Sequence, residues 1–116
     1  MKENIIKNKS FVFALRIVKL YQYLTESKRE FVLSKQLLRS GTSIGALVRE
    51  SEHAESKADF IHKLSISLKE ANESDYWLEL LFKSNYIDER EYNSIKIDLE
   101  EILKLLVSII KTSKGK

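Results

Sequence analysis

Apolar residues recur along the chain in four stretches, each with the three-to-four-residue spacing of an amphipathic helix. The second stretch is the most distinctive, because Gly41 and Gly45 interrupt a pattern that is otherwise helical. Each glycine costs about 1 kcal/mol relative to alanine in a helix interior, and their four-residue spacing places both on one face, close to Ser34. We therefore expect the second helix to be the central one, against which a neighbouring helix packs closely.

Four helices are predicted, over about residues 10–26, 30–53, 57–84 and 88–112. Residues 1–9 are expected to form a fraying arm that ends at Ser10, the predicted N-cap of the first helix. Ser56 and Asp88 are the predicted N-caps of the third and fourth helices, and Asn85 is expected to end the third. Since the 116 residues include no proline and only three glycines, we expect an all-α fold, with the four helices in a single domain over residues 1–116.

The first and third predicted helices are apolar on more than one face. The first carries two adjacent stripes: Phe11, Ala14, Leu15 and Val18, and beside them Phe13, Ile17, Leu20 and Leu24. On the third helix, Phe60, Leu64, Leu68, Ala71, Leu78 and Phe82 form the stripe assigned to the core. Its other face carries Ile66, Trp77, Leu80 and Leu81, which we assign to an interface between copies of the chain, because a helix that is apolar all round must be covered all round.

Charge is distributed unevenly between the two halves of the chain. Residues 1–49 hold ten Lys and Arg against three acids, whereas residues 50–116 hold ten against fourteen. On the polar face of the second predicted helix, four cations cluster within about 80° if the helix starts early enough to include the first of them: Lys28, Lys35, Arg39 and Arg49. Arg16 and Lys19 are candidates to extend this set. Two interpretations stay open, namely contacts with the phosphates of RNA or DNA, or a solvated surface that pairs with acids of the chain itself.

Recognisable catalytic motifs are absent from the sequence. There is no phosphate-binding loop, dinucleotide fingerprint or nucleophile elbow, so we expect a chain that is not an enzyme and needs no cofactor. Glu50-x-x-His53 and Asp59-x-x-His62 have the spacing used by metal-binding bundles, which leaves a metal-dependent enzyme as a remote alternative. We expect no metal, because the apolar stripes of the first and fourth helices contain no acid. The absence of cysteine, signal peptide and membrane span predicts a cytoplasmic protein.

The segment RSGTSIGALVRESEHAESKADFIHKLSISLKEANESDYWLELL resembles the four helix bundle proteins of the 23S rRNA intervening sequence family. The resemblance extends from about Phe11 to Ile110. It is carried by Gln36-Leu37, Arg39-Ser40, Ser43-Ile44, Glu50, Ser56-Lys57, Asp59-Phe60, Leu64, Ser67-Leu68, Lys69-Glu70 and Tyr76-Trp77-Leu78. Two positions depart from the family pattern: Leu47 stands where an Asn is usual, and Arg49 where a small residue is frequent.

The resemblance implies an up-and-down antiparallel four-helix bundle that assembles into a ring-like homo-oligomer, a pentamer, of unsettled molecular role. The family is also remotely similar to the accessory variability protein of diversity-generating retroelements, a ring that binds nucleic acid and a reverse transcriptase. The expected function is therefore non-specific binding of RNA or DNA through a basic face of the ring. The alternative is a protein-interaction scaffold, with another protein as partner and no nucleic-acid binding.

Overall fold

The computed structural model describes residues 2–115 and consists of four α-helices joined by short loops. Met1 and Lys116, which the predicted domain includes, lie outside the described residues. The helices are α1 (Lys2–Glu26), α2 (Leu33–Ser51), α3 (Lys57–Lys83) and α4 (Glu89–Lys114). Each helix packs against its neighbours in chain order, and α4 closes the bundle on α1. None of these helices, over residues 2–115, has an apolar run long enough to cross a bilayer.

Consecutive helices are antiparallel, as the cross-helix contacts show. Along α1 and α4 the pairs run in opposite directions: Lys2 Nζ donates to Ser108 Oγ, Lys9 pairs with Glu101 and Arg16 with Asp98. Between α2 and α3, Ser40 lies at Ser74, Ile44 at Ser67 and Glu50 at Lys63. Residues from all four helices meet in one hydrophobic core. The all-α prediction is thus confirmed for the part of the chain that the structure describes. The contacts between its helices are those of an up-and-down bundle.

The prediction that residues 1–9 form an arm is wrong, because α1 already begins at Lys2. Ile6 is buried in the core, and Ser10, the predicted N-cap, is a buried residue in the middle of the helix. Lys7 pairs with Glu52, and this contact helps to hold the early turns of α1 against the rest of the bundle. The extra two turns of helix are therefore held mainly by the burial of Ile6 and Ser10, while the lysines that made this segment look like a solvated arm form exposed pairs.

The glycines of α2 face α1, as the close-packing argument predicted. A Cβ added at Gly41 would lie 3.0 Å from both Cγ1 and Cγ2 of Ile17, and one added at Gly45 would lie 3.3 Å from the backbone oxygen of Ser10. On its other side α2 approaches α3 through small polar residues. Ser67 Oγ donates to the Ile44 backbone oxygen at 2.9 Å, and Ser74 Oγ lies 2.9 Å from Ser40 Oγ. Small residues therefore let α2 approach both of its neighbours.

Helix ends follow local signals in the sequence. Ser56 and Asp88 cap α3 and α4, since their side chains accept hydrogen bonds from the backbone N–H groups of Asp59 and Glu91. Asn85 has a φ of 68° after the end of α3, which confirms its predicted role. The start of α2 differs from the prediction. It begins at Leu33 rather than about residue 30, because the preceding residues form a structured loop.

Gly41→Ala should destabilise the chain by about 1 kcal/mol, because crowding against Ile17 costs more than the helix propensity that alanine gains. Urea unfolding followed by circular dichroism measures this change. Ala46→Gly, at an exposed position of α2, is the matched control that reports propensity alone and should also cost about 1 kcal/mol. A Gly41→Ala variant more stable than the parent would contradict the close approach of α1 and α2.

Candidate nucleic-acid interface

The outward face of α2 carries three of the predicted cations in one line. Lys35, Arg39 and Arg49 are all exposed, and they share this face with Thr42 and Ala46. At 1.5 Å per residue the line from Lys35 to Arg49 is about 21 Å long. This face consequently has the length and the charge to follow an extended polyanion.

Arg39 is only partly available to a ligand, because α3 already engages it. Its guanidinium pairs with Glu70 at 3.6 Å and also with Glu73, whose carboxylate accepts a hydrogen bond from the Trp77 indole N–H at 3.2 Å. The Glu70 Oε1 atom is buried and has no hydrogen-bond partner within residues 2–115. More than half of the Arg39 side chain is still exposed. This residue consequently serves first to join α2 to α3.

Arg49 lies at the other end of the line, with its guanidinium carbon 5.7 Å from the centre of the Phe11 ring. The two acids closest to it in sequence are engaged elsewhere, since Glu50 pairs with Lys63 and Glu52 pairs with Lys7, each at 3.2 Å. In the described part of the chain Arg49 has no carboxylate within salt-bridge distance. Its charge is therefore not neutralised by an acid of the described chain.

Lys28 belongs to the loop between α1 and α2 (residues 27–32), which contains a second cation, Arg29, that is not among the cations predicted from the sequence. Arg29 has a left-handed backbone with φ 56°, and its guanidinium carbon lies 5.1 Å from the centre of the Phe31 ring. Both cations are exposed, and the structure shows no ion pair for either within residues 2–115. The run Lys28-Arg29-Glu30-Phe31 was the available signal, since it sets two adjacent cations close to an aromatic residue.

Glu30 holds this loop in place although it looks like a surface acid in the sequence. Its carboxylate accepts hydrogen bonds from the backbone N–H groups of Val32, Leu33 and Ser34 at 3.1, 3.0 and 2.7 Å. Burial alone would raise the pKa of Glu30, but these backbone donors outweigh it and lower the pKa below its ordinary value. The residue is therefore a charged cap for α2.

Arg16 and Lys19 do not join the line of cations on α2. The Arg16 guanidinium is held by α4, where it donates to Asp98 Oδ2 at 2.8 Å and to Ser94 Oγ at 3.0 Å. Lys19 is exposed beside the same helix pair and lines a groove of about 360 Å³ with Tyr23 and Asp88. The structure thus places the six predicted cations on two separate surfaces, one along α2 and its preceding loop and one between α1 and α4.

The four residues assigned to an oligomer interface differ in their burial. Leu81 is 0% exposed and belongs to the core of the protomer, so it has no surface to offer a partner. Ile66, Trp77 and Leu80 are half-buried. The buried positions of α3 keep a regular spacing of three and four residues: Leu64, Ser67, Ala71, Ser74, Leu78 and Leu81. The apolar pattern of the sequence placed Leu81 opposite the core because two members of this buried stripe are serines.

The exposed apolar surface lies on α1 instead. Phe11, Leu15 and Val18 are 51, 49 and 36% exposed, and their spacing of four and three residues makes them one stripe. The neighbouring stripe, which includes Phe13 and Ile17, fills the core. The two were indistinguishable in the sequence because both are apolar along the same turns.

Residues 2–115 contain no group of three or more His, Cys, Asp or Glu side chains placed to hold a metal ion. Glu50 pairs with Lys63, and the Asp59 carboxylate accepts the Glu55 backbone N–H at 3.1 Å. His53 and His62 are exposed. The four residues of the remote metal alternative are therefore not gathered into one site in the described structure.

A family model for the 23S rRNA-intervening sequence protein matches residues 2–108. The chain belongs to this family. One solved structure is similar over almost the full length, with 61% sequence identity and a TM-score of 0.95, covering 96% of this chain and 99% of the other. It is the crystal structure of a protein with unknown function from the S23 ribosomal protein family of Bacteroides thetaiotaomicron VPI-5482. A comparison with curated proteins finds no match. The family predicted from the sequence is confirmed, and nothing in these similarities indicates an enzyme.

Glu30→Gln should lower the free energy of unfolding by about 1–2 kcal/mol at pH 7, because a neutral amide is a weaker cap for three backbone donors. Since the folded-state pKa of Glu30 lies below its ordinary value of 4.5, the stabilisation is present above that pH. It is lost as the pH falls through the folded-state pKa. Urea unfolding of both proteins between pH 7 and pH 3 should show the two stabilities converging in acid.

Glu26→Gln is the matched control, because Glu26 is exposed at the end of α1 and makes no side-chain hydrogen bond within residues 2–115. This variant should be as stable as the parent at every pH. A Glu30→Gln difference that grows as the pH falls would contradict the charged-cap account.

Proposed function

We propose that this member of the 23S rRNA-intervening sequence protein family binds RNA or DNA through backbone electrostatics and is not an enzyme. The binding surface is the outward face of α2 together with the loop before it, and its phosphate contacts come from Lys28, Arg29, Lys35, Arg39 and Arg49. We define these five residues as the α2 basic surface.

One observation carries the proposal. Between residues 27 and 49 the chain holds five cations and a single acid, Glu30, and that carboxylate is turned towards backbone N–H groups rather than towards the cations. Glu70 and Glu73 of α3 offset the charge of Arg39, so the uncompensated charge comes from the other four cations. Exposed cations without acidic partners attract phosphates and release their counterions when they bind them. Such contacts are independent of base sequence, so the proposed binding is non-specific.

RNA is the first ligand to test. The family takes its description from an intervening sequence of 23S rRNA, and the similar solved structure is assigned to the S23 ribosomal protein family. Both descriptions concern those proteins and support only the choice of ligand here. The proposal places the protein in the cytoplasm, where it would meet RNA, and needs no cofactor.

We also propose that copies of the chain assemble through the stripe of Phe11, Leu15 and Val18 on α1, with a pentameric ring as the arrangement expected from family resemblance. Exposed apolar side chains in one stripe are typical of a protein contact. If the chain does not bind nucleic acid, this stripe favours the second candidate function, a protein-interaction scaffold. Ile66, Trp77 and Leu80 on α3 remain candidates for the same kind of contact.

The double variant Lys35→Glu/Arg49→Glu should weaken binding to a generic RNA about tenfold or more at low salt. For the parent, the logarithm of affinity should fall linearly with the logarithm of salt concentration, and each lost phosphate contact should reduce that slope by about one. Fluorescence anisotropy with a labelled oligonucleotide at several salt concentrations measures both effects.

Lys104→Glu is the matched control, because Lys104 is exposed on α4 and has no described ion pair. It should change the affinity far less than the double variant does. Because the double variant reverses two charges and Lys104→Glu only one, an equal loss of binding free energy per reversed charge would show that only net charge matters. Binding by the parent that ignores salt would contradict the electrostatic proposal.

Leu15→Asp should convert the assembly to a particle of 13.5 kDa, the mass of one chain, because a carboxylate in an apolar contact is left without a partner. Light scattering coupled to size exclusion reports the mass directly. Ile97→Asp, which adds the same charge at an exposed apolar position of α4, should leave the mass unchanged. A parent protein that is already monomeric would refute assembly through α1.

A further inference from the structure

The α1–α2 loop presents apolar side chains to solvent at the basic end of the α2 surface. Phe31 is 51% exposed and Val32 is 70% exposed, which makes Val32 the most exposed large apolar residue in the described chain. Neither residue takes part in the hydrophobic core. These two side chains therefore do not stabilise the core, and their exposure calls for a functional explanation.

The loop is held in a defined conformation. The three backbone donors on the Glu30 carboxylate include the Val32 N–H itself. The Glu30 backbone N–H donates to the Leu24 backbone oxygen at 2.9 Å, and its carbonyl accepts the Ser34 hydroxyl at 2.7 Å. A buried and charged side chain is thus used to fix the very residues that project Phe31 and Val32 outward. Fixing them in advance lowers the entropy cost of binding a ligand.

Three cations lie close to Phe31 in sequence, and one of them, Arg29, lies over its ring. Lys28 and Arg29 precede it, Lys35 follows one turn into α2, and the one acid among residues 28–35 is the Glu30 that the backbone engages. The Arg29 guanidinium carbon, 5.1 Å from the ring centre, shows that a planar group fits over this ring. An aromatic ring bordered by cations is the arrangement that holds single-stranded nucleic acids, in which bases stack on the ring while phosphates meet the charges.

A protein partner fits this patch less well. Two apolar side chains supply far less than the roughly 800 Å² per partner that a stable protein interface buries. The three flanking cations would also need acidic partners in that interface. A nucleotide brings an apolar planar base and a negative phosphate together in one small unit, and it matches both features of the loop.

We propose that residues 28–35 bind an unpaired nucleotide of a single-stranded nucleic acid, with the base stacked on the Phe31 ring and the adjacent phosphates contacted by Lys28, Arg29 and Lys35. This inference rests on the proposed function and narrows its ligand class. Duplexes would still bind the α2 basic surface through their phosphates, but their stacked bases are not available to Phe31. The protein therefore prefers single strands to duplexes of the same length.

Three labelled ligands of equal length test the inference by fluorescence anisotropy: a single-stranded oligothymidylate, a duplex, and an abasic oligomer that keeps the sugar–phosphate backbone. Phe31→Ala should weaken binding of the oligothymidylate about tenfold and leave the duplex and the abasic oligomer unchanged. Phe31→Tyr should restore the affinity, because it keeps the aromatic face. Tyr76→Ala, which removes an exposed aromatic ring of α3, is the control and should have no effect.

The outcomes separate this inference from the proposed function. If the parent binds none of the three ligands at low salt, both are overturned. If it binds all three equally and Phe31→Ala changes nothing, electrostatic binding stands and the stacking inference is overturned. If Phe31→Ala lowers the particle mass in light scattering, the loop is a contact between copies, which also overturns it.

Discussion

The structure depends on the close approach of α2 to the helices on both of its sides. Gly41 leaves no room for a further carbon against Ile17, and the Ser67 hydroxyl reaches the backbone oxygen of Ile44 across the other seam. Small residues permit both approaches at a cost in helix propensity that packing offsets. With both inner flanks of α2 occupied in this way, the long charged side chains of the helix are left on its outward face. The line of cations is a consequence of how the core is packed.

Capping links that packing to the candidate site. Glu30 satisfies three backbone donors at the start of α2, so the one acid within residues 27–49 is turned away from the cations around it. The same contacts fix the loop that carries Arg29 and Phe31. At the far end, Lys7 and Lys63 engage the acids that flank Arg49 in sequence. The positive surface is thus maintained by interactions that also stabilise the fold.

The sequence predicts the features that local chemistry decides. Four apolar periodicities place the helices, Ser56, Asp88 and Asn85 mark helix ends, and the two glycines identify the central helix. Features that depend on tertiary contacts cannot be predicted from the sequence in this way. The two apolar stripes of α1 are equivalent until packing buries the one that contains Phe13, and Arg16 is an unpaired cation until Asp98 is brought beside it. The first turns of α1 were missed for the same reason, since their lysines find acidic partners only in the folded bundle.

The central claim is that nucleic acid meets the chain on the outward face of α2 and the loop before it. Photo-crosslinking of the protein to a short single-stranded RNA containing 4-thiouridine, followed by mass spectrometry of the peptides, tests it most directly. The account predicts crosslinked peptides from residues 28–49, with none from the outward faces of α3 and α4. Crosslinks concentrated on α3 and α4, or spread evenly over all four helices, would contradict it.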